Sequence, residues 1–355
     1  MSRPTLATID SAALKHNLAV VRRHAPRSRV LAVLKANAYG HGLMRAARAF
    51  SAAEGFGLVE LDAAVQLRES GYRQQIVLLE GYFEAAELPV LVRHNIAPVV
   101  HSREQIEMLN GLRPDAALDV YVKLNTGMNR LGFEAGALRA AVADLERHPA
   151  VKSVTLMTHF ASADEARGVE WQMQALERVA NGLALPRSLA NSAAILRHPE
   201  THAEWVRPGI MLYGSSPFSG EVGADLDLKP AMTLESRVIA MQNLKRGDTV
   251  GYGGLFTAQG ETRVGVVACG YADGYPRHAP TGTPLRVEGR TTRTVGRVSM
   301  DMLCADLSEI PQARVGSRVV LWGDGVPVER VAQAAGTVGY QLLCALAPRV
   351  QIVEK

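Results

Sequence analysis

The chain has 355 residues and a mass of 38.2 kDa, and its 47% apolar and 21% charged residues exclude intrinsic disorder over most of the length. No stretch approaches the about 18 apolar residues that a membrane helix needs, and residues 1–17 lack the apolar core of a secretory signal. A net charge of only +4 without a long basic run, together with three widely spaced cysteines, predicts a cytoplasmic protein without nucleic-acid binding, membrane association, metal site or disulfide.

The first half of the chain alternates short apolar runs with segments of helical spacing. Continuous apolar runs are typical of parallel strands that are buried on both faces. Eight runs predict a (β/α)₈ barrel, although an open doubly wound sheet remains the alternative. No glycine-rich dinucleotide fingerprint follows the first strand, and this weakens the alternative. The predicted strands are 30–34, 56–59, 75–79, 96–100, 117–124, 153–157, 187–190 and 206–212.

Four helices stand out between these runs, and the chain changes character near residue 230. The helices are predicted at 62–70, at 102–110 with Ser102 as the N-cap, at 134–147 and at 170–182. Beyond residue 230, short strand-like runs at 238–241, 263–268, 285–287, 293–298 and 318–321 alternate with glycine and proline, and one helix is predicted at 329–335. We therefore expect a barrel domain over 11–228 and a mostly β domain over 229–355, to which residues 1–10 add a strand.

Lys35 is the first candidate for chemistry. It ends the first predicted strand, and the carboxyl ends of barrel strands face the active site. Burial of a lysine at such a position can lower its pKa, which would favour covalent chemistry with carbonyl compounds. A surface lysine at a strand end is the alternative interpretation for an isolated lysine.

Several ordered sequence blocks resemble those of the alanine racemases, which are fold-type III pyridoxal-phosphate enzymes. The resemblance begins at the first predicted strand and ends about fifteen residues before the end of the chain. Alanine racemases consist of a barrel followed by a C-terminal β domain, in agreement with the pattern above. The blocks are 33–42, 123–132, 158–164, 190–194, 207–214, 250–254, 269–275, 296–301 and 339–340.

The resemblance implies interconversion of L-alanine and D-alanine by two bases on opposite faces of Cα. In this scheme Lys35 holds pyridoxal 5'-phosphate and exchanges the Cα proton of D-alanine. Tyr252, from the other subunit of a head-to-tail homodimer, exchanges the Cα proton of L-alanine. Because the pKa of a tyrosine is about 10, an ionised phenol at pH 7 costs about 4 kcal/mol. In the family, a hydrogen-bonded chain from the tyrosine through His159 to Arg207 offsets this cost.

The remaining cofactor residues also follow from the resemblance. Arg207 faces the pyridine nitrogen, and because arginine stays protonated the ring nitrogen stays neutral, which suppresses transamination. Barrels commonly bind phosphate after their seventh and eighth strands. The phosphate-binding groups implied here are the backbone N–H groups of Gly209 and Ile210 and the hydroxyls of Ser192, Tyr39 and Tyr340.

For the substrate, the resemblance implies that Arg130 and the partner's Met300 N–H bind the carboxylate. Lys123 is carbamylated in many relatives, where the resulting anion orients the arginine. Residues Tyr271, Arg297 and Asp301 resemble those that line the corridor leading to the site.

Two other functions remain open from the sequence. A basic amino-acid decarboxylase also joins a barrel to a β domain, but it would need an acidic partner for the ring nitrogen where this chain has Arg207. A non-enzymatic pyridoxal-phosphate carrier consists of the barrel alone, whereas about 125 residues follow the barrel here. The racemase is therefore the favoured interpretation, with a different small-amino-acid specificity as a variant of it.

Overall fold

The structure is a computed structural model that describes residues 3–355. Its first strand, β1 (Leu6–Ile9), belongs to the C-terminal sheet, and helix α1 (Ser11–His24) follows. The Asp10 carboxylate caps this helix, because it accepts a hydrogen bond of 2.9 Å from the backbone N–H of Ala13. That N–H is one of the donors that the first turn of a helix leaves without a partner.

Eight parallel strands then close into a barrel, so the predicted fold class is confirmed. The strands are β2 (Arg29–Val33), β3 (Gly55–Leu58), β4 (Gln75–Leu78), β5 (Ile96–Val100), β6 (Leu118–Lys123), β7 (Val151–Met157), β8 (Arg187–Ser188) and β9 (Trp205–Val206). The interior is filled by side chains that include Leu31, Val77, Tyr121 and Trp205, so the barrel is a packed core rather than a pore.

Helices connect the strands of the barrel. They are α2 (Lys35–Tyr39), α3 (Leu43–Ala49), α4 (Leu61–Glu69), α5 (Leu88–His94), α6 (Arg103–Leu109), α7 (Ala135–Arg147), α8 (Glu170–Ala180) and α9 (Ser192–Arg197). The four predicted helices correspond to α4, α6, α7 and α8 within two residues at each end. As predicted, the Ser102 hydroxyl caps α6, accepting a hydrogen bond of 3.4 Å from the N–H of Gln105.

The last predicted barrel strand, 206–212, is wrong beyond Val206. Strand β9 ends there, and Ile210–Tyr213 form a 3₁₀ turn instead. Pro208 has no backbone N–H to continue a strand, and Gly209, with φ −117° and ψ −97°, lies outside the extended region.

The C-terminal domain is built on an eight-stranded sheet and a two-stranded one. The strands after the barrel are β10 (Met232–Leu244), β11 (Thr249–Val250), β12 (Phe256–Thr257), β13 (Thr262–Val267), β14 (Pro284–Val287), β15 (Arg290–Val295), β16 (Leu303–Asp306), β17 (Arg318–Trp322) and β18 (Gln351–Glu354). The order in the large sheet is β13-β16-β15-β14-β17-β10-β1-β18. Strand β10 pairs with both β13 and β17 on either side of a bulge near Val238, which closes a ring of six strands.

Two helices accompany this sheet where the sequence predicted one. Helix α10 (Val328–Ala334) matches the prediction, but α11 (Gly339–Cys344) was missed. Helix α11 packs against the segment that follows Lys35, since a Cβ at Gly40 would lie 2.1 Å from the backbone oxygen of Leu343. Across residues 3–355, no helix combines the length and apolar character needed to cross a membrane.

Candidate active site

A cavity of about 640 Å³ opens at the carboxyl ends of the barrel strands. The parallel strands direct their ends to this one face, which brings together residues that are far apart in sequence. Lys35 follows β2, Lys123 ends β6, His159 follows β7 and Arg207 follows β9. All ten barrel-side and α11 residues that the sequence singled out line the cavity, namely Lys35, Tyr39, Lys123, Arg130, His159, Ser192, Arg207, Gly209, Ile210 and Tyr340.

Lys35 is followed by a single left-handed turn. The φ angles of the four residues Ala36–Tyr39 lie between 51° and 54°, and the left-handed helical conformation costs about 1–2 kcal/mol per residue. The buried ring of His41 stabilises the turn, because its Nδ1–H donates to the backbone oxygens of Tyr39 at 2.8 Å and Ala38 at 3.1 Å. Burial lowers the His41 pKa to about 4, so the ring is neutral at physiological pH.

The Tyr39 hydroxyl lies against Gly209 and near Ser192. The Ser192 hydroxyl accepts a hydrogen bond of 2.8 Å from the Gly209 N–H, and a Cβ at Gly209 would lie 2.6 Å from the Tyr39 Oη. Only glycine permits this approach. The Ile210 N–H has no acceptor among the described residues. The Tyr39 ring stacks on Tyr213 at 4.6 Å between centroids, which fixes the hydroxyl, and burial raises the Tyr39 pKa so that the oxygen keeps its proton.

Arg207 is a buried cation held by neutral groups. Its Nη atoms donate to the backbone oxygens of Ser188 at 2.5 Å and Thr158 at 2.6 Å, among other partners, and within residues 3–355 it has no carboxylate partner. Burial lowers the Arg207 pKa to about 10, which still leaves the guanidinium charged at pH 7. Its Nε–H has no acceptor among the residues that the structure describes, so this donor remains available to a ligand in the cavity.

His159 lies beside this guanidinium. An Nη2–H of Arg207 donates to the His159 Nδ1 at 3.4 Å, and because arginine can only donate, the neutral imidazole carries its proton on Nε2. Burial, followed by the charges of Arg207 and Lys123, lowers the His159 pKa well below its usual value. The ring is therefore a neutral donor at neutral pH.

Lys123 and Arg130 form a second cationic pair in the cavity wall. Burial is the main reason why the Lys123 pKa falls to about 8, and the charges of Arg207 and Arg130 lower it further. In the described chain, neither the Lys123 amine nor the Arg130 guanidinium has a hydrogen-bond or ion-pair partner. The Glu80 carboxylate in the same cavity partly offsets the lowering of the Lys123 pKa but does not pair with either cation.

The predicted residues of the C-terminal domain other than Tyr340 lie elsewhere. Tyr252, Tyr271, Arg297, Met300 and Asp301 are absent from the wall of the cavity. The exposed fraction is 69% for Tyr252 and 54% for Met300. The structure therefore brings the barrel-side candidates together and leaves these five on another surface of the same chain.

Close backbone packing joins the loops that carry these five residues. A Cβ at Gly296 would lie 2.7 Å from the backbone oxygen of Val250, and one at Gly270 would lie 2.4 Å from that of Met300. Consequently, loops 250–254, 270–275 and 296–302 stack on one another. They present Tyr252, Tyr271 and Met300 as large exposed apolar side chains.

Among the further residues of the cavity wall, three are ionisable side chains that the sequence did not single out, namely Glu80, Asp164 and Cys344. Glu80 follows the end of β4, so the rule that identified Lys35 could have identified it as well. Asp164 closes the sequence block 158–164. Cys344 lies on α11, the helix that was missed, and no residue pattern pointed to it.

Two family models cover nearly the whole chain. The model described as "Alanine racemase, N-terminal domain" matches residues 9–217, and "Alanine racemase, C-terminal domain" matches residues 231–354. A protein named alanine racemase from Nitrosospira multiformis is 61% identical over 99% of this chain and 100% of its own length. Another from Paraburkholderia phytofirmans is 55% identical over 99% of both chains.

Solved structures with the same fold bear the same name. The crystal structure of biosynthetic alanine racemase from Pseudomonas aeruginosa superposes with a TM-score of 0.96 at 46% identity and covers 99% of both chains. The alanine racemase from Acinetobacter baumannii superposes with a TM-score of 0.94 at 38% identity, over 99% of this chain and 100% of that one.

Proposed function

This chain belongs to the alanine racemase family, and on that premise we propose that it interconverts L-alanine and D-alanine with pyridoxal 5'-phosphate as cofactor. When bound, the cofactor delocalises the charge that remains when the Cα proton is removed. One observation carries the proposal. A single cavity is lined by a lysine at a strand end, by hydroxyl and backbone N–H groups that could bind a phosphate, and by a buried arginine without a carboxylate partner.

The cavity residues fit this cofactor at three points. Lys35 follows strand β2, so a cofactor attached to its amine would lie at the carboxyl ends of the barrel strands. The Nε–H of Arg207 is an unused donor that suits a ring nitrogen without a proton. The N–H of Ile210 and the hydroxyl of Tyr39 flank the glycine cradle at Gly209, where a phosphate could lie against the backbone.

We propose that Lys35 exchanges the Cα proton of D-alanine and Tyr252 that of L-alanine. An amine on one side of Cα and a phenol on the other are required for inversion. The Nε2–H of His159 would donate a hydrogen bond to the ionised phenol, while Arg207 fixes this tautomer through Nδ1. This bond would offset part of the about 4 kcal/mol that ionising a tyrosine at pH 7 costs.

Tyr252 would reach the site from a second copy of the chain in a head-to-tail homodimer. Its exposure, and that of Met300 and Tyr271 on the stacked loops, supports this proposal, because large exposed apolar groups mark contact surfaces. The Met300 N–H has no acceptor within residues 3–355. With Arg130, it would bind the substrate carboxylate, while Tyr271, Arg297 and Asp301 would line the corridor to the neighbour's site.

We propose that Lys123 carries a carbamate, which would give Arg130 an anionic partner. Carbon dioxide adds to a neutral amine, and with a pKa of about 8 the neutral fraction grows from about 1% at pH 6 to about half at pH 8. Carbon-13 NMR of protein equilibrated with ¹³C-bicarbonate should therefore show a carbamate signal that strengthens over this range. The signal should vanish in Lys123→Ala and persist in Lys152→Ala, a surface control. Its absence from wild-type protein at pH 8 in excess bicarbonate would refute the proposal.

A chiral-chromatography assay of the purified protein with a panel of L-amino acids tests the proposed activity. We expect D-alanine as the main product, with slower turnover of serine, because a pocket distinguishes one small group by only about 1–3 kcal/mol. Carbon dioxide release from lysine, ornithine or arginine would instead identify a decarboxylase. The neutral surroundings of Arg207 favour the racemase, since a decarboxylase would benefit from an acid there.

We also propose a cytoplasmic location and a domain boundary between residues 228 and 229. All three cysteines are free thiols in the structure, which fits a reducing compartment. The first family model ends at residue 217 and the second begins at residue 231, so the proposed boundary lies between the two matches. Strand β1 would then belong to the C-terminal unit, because it lies between β10 and β18.

A further inference from the structure

A buried carboxylate lies beneath the turn that carries Tyr271. Asp273 is 1% exposed, and three donors hold its two oxygens. Oδ2 accepts hydrogen bonds of 2.9 Å from the Gly270 N–H and from Arg3, and Oδ1 accepts one of 2.7 Å from the Nε–H of Arg349. The two arginines come from opposite ends of the chain and converge on this one side chain.

Both arginines also hold the neighbouring loop that carries Met300. The Nη2–H groups of Arg3 donate to the backbone oxygen of Asp301 at 3.1 Å, and Arg349 donates to the Asp301 Oδ1 at 2.7 Å. Each arginine therefore joins the turn at 270–274 to the loop at 299–302. We call Arg3, Asp273, Asp301 and Arg349 the loop clamp.

The clamp supplements direct backbone contact between the two loops. The N–H of Tyr271 donates to the Ser299 oxygen at 3.1 Å, and the N–H of Ala272 donates to the Met300 oxygen at 2.9 Å. A side chain at Gly270 would collide with the Ser299 and Met300 oxygens. As a result, the Met300 oxygen is engaged while its N–H remains available to another molecule.

We infer that Asp273, through Arg3 and Arg349, is a positioning residue that directs the Met300 N–H and the Tyr271 ring into the substrate site of the neighbouring subunit. This inference rests on the proposed function and deepens it. Stability alone is a weak reason for such a cluster, because removing charges from water offsets much of what an ion pair contributes. In addition, the clamp holds the turn at 270–274 and the loop at 299–302 in a fixed relative orientation.

The test uses the holoenzyme and propionate, which presents a carboxylate but no amine and cannot be racemised. Arg349→Gln is the main variant, because this side chain is 37% exposed and its replacement leaves no large cavity. Arg349→Lys keeps the positive charge at this position, whereas Asp273→Asn removes the negative charge of its partner. Arg318→Gln is the matched control, since it breaks a comparable pair with Glu235 in the same domain (Nε to Oε2, 2.8 Å) without touching the clamp.

We expect Arg349→Gln to weaken propionate binding about tenfold by calorimetry, as when a hydrogen bond to a charged group is lost. The KM for both alanine enantiomers should rise in parallel, while cofactor affinity and dimer mass stay unchanged, because the cofactor site lies in the barrel. Arg349→Lys should regain part of the affinity, and Arg318→Gln should behave as wild type.

Two outcomes would contradict the positioning role inferred for Asp273 and the loop clamp. One is propionate binding within twofold of wild type in both Arg349→Gln and Asp273→Asn. The other is an equal loss of propionate and cofactor affinity, which would indicate general damage. A wild-type protein that binds propionate but does not racemise alanine would refute the proposed function instead, so the two failures are distinguishable.

Discussion

Replacing Lys35 with alanine should abolish racemisation from both enantiomers, with a loss of about four orders of magnitude or more. The reason is that Lys35 is proposed both to attach the cofactor and to act as the base on one face of Cα, and neither direction can proceed without an exchange on that face. Steady-state rates measured by chiral chromatography from L-alanine and from D-alanine check the result. The exposed Lys15, replaced in the same way, should leave both rates unchanged.

Borohydride reduction separates the roles of the two lysines in the cavity. Lys35 and Lys123 both line it, so sequence position alone does not decide which one holds the cofactor. After reduction, peptide mapping should find the cofactor on the peptide that contains Lys35. A label on Lys123, or a Lys35→Ala protein that still racemises alanine, would show that the cofactor lysine has been assigned wrongly.

Tyr252→Phe should separate the two directions of the reaction. The variant keeps Lys35, so exchange of the Cα proton of D-alanine with deuterated solvent should continue. Exchange from L-alanine should fall by about 10²–10⁴-fold, the contribution of one general base. Proton NMR of the Cα signal measures both, and Tyr72→Phe in the barrel is a control. Equal rates in both directions, unchanged from wild type, would refute the two-base proposal.

Mixing two inactive variants tests whether the phenol comes from a second subunit. In a heterodimer of Lys35→Ala and Tyr252→Phe protomers, one site lacks both groups and the other has both. Random association of equal amounts should therefore restore about one quarter of the wild-type specific activity. If Tyr252 served its own chain, no mixture would recover activity, although each parent would remain dimeric by sedimentation.

Residues at strand ends were the most predictable part of the site. Lys35 could be placed in the cavity from sequence because an apolar strand leads directly into it, and the ends of parallel strands meet at one face. Arg207 also follows a strand, β9, but the predicted strand 206–212 ran through it, so its role was implied by the resemblance alone. Glu80 obeys the same rule but was overlooked, because an isolated acid after a strand carries no motif.

Backbone geometry was the least predictable part. Only Asn37 in Ala36-Asn37-Ala38-Tyr39 is a residue type that favours left-handed angles, and even asparagine adopts them as a single residue rather than in a run of four. The conformation depends on a local contact with His41 and on packing against α11, which is distant in sequence. The loop clamp was missed for a similar reason: Arg3 and Arg349 are separated by almost the whole chain.

The left-handed turn has a consequence for how this enzyme can be altered. A glycine at Ala36 or Ala38 would adopt the same angles without the steric cost of a Cβ, so either exchange removes strain of about 1 kcal/mol. It would also give the segment next to Lys35 access to many other backbone shapes. Alanine keeps this segment to fewer conformations, which holds the amine of Lys35, proposed to attach the cofactor, in one direction. Stabilising substitutions are better sought elsewhere in the molecule.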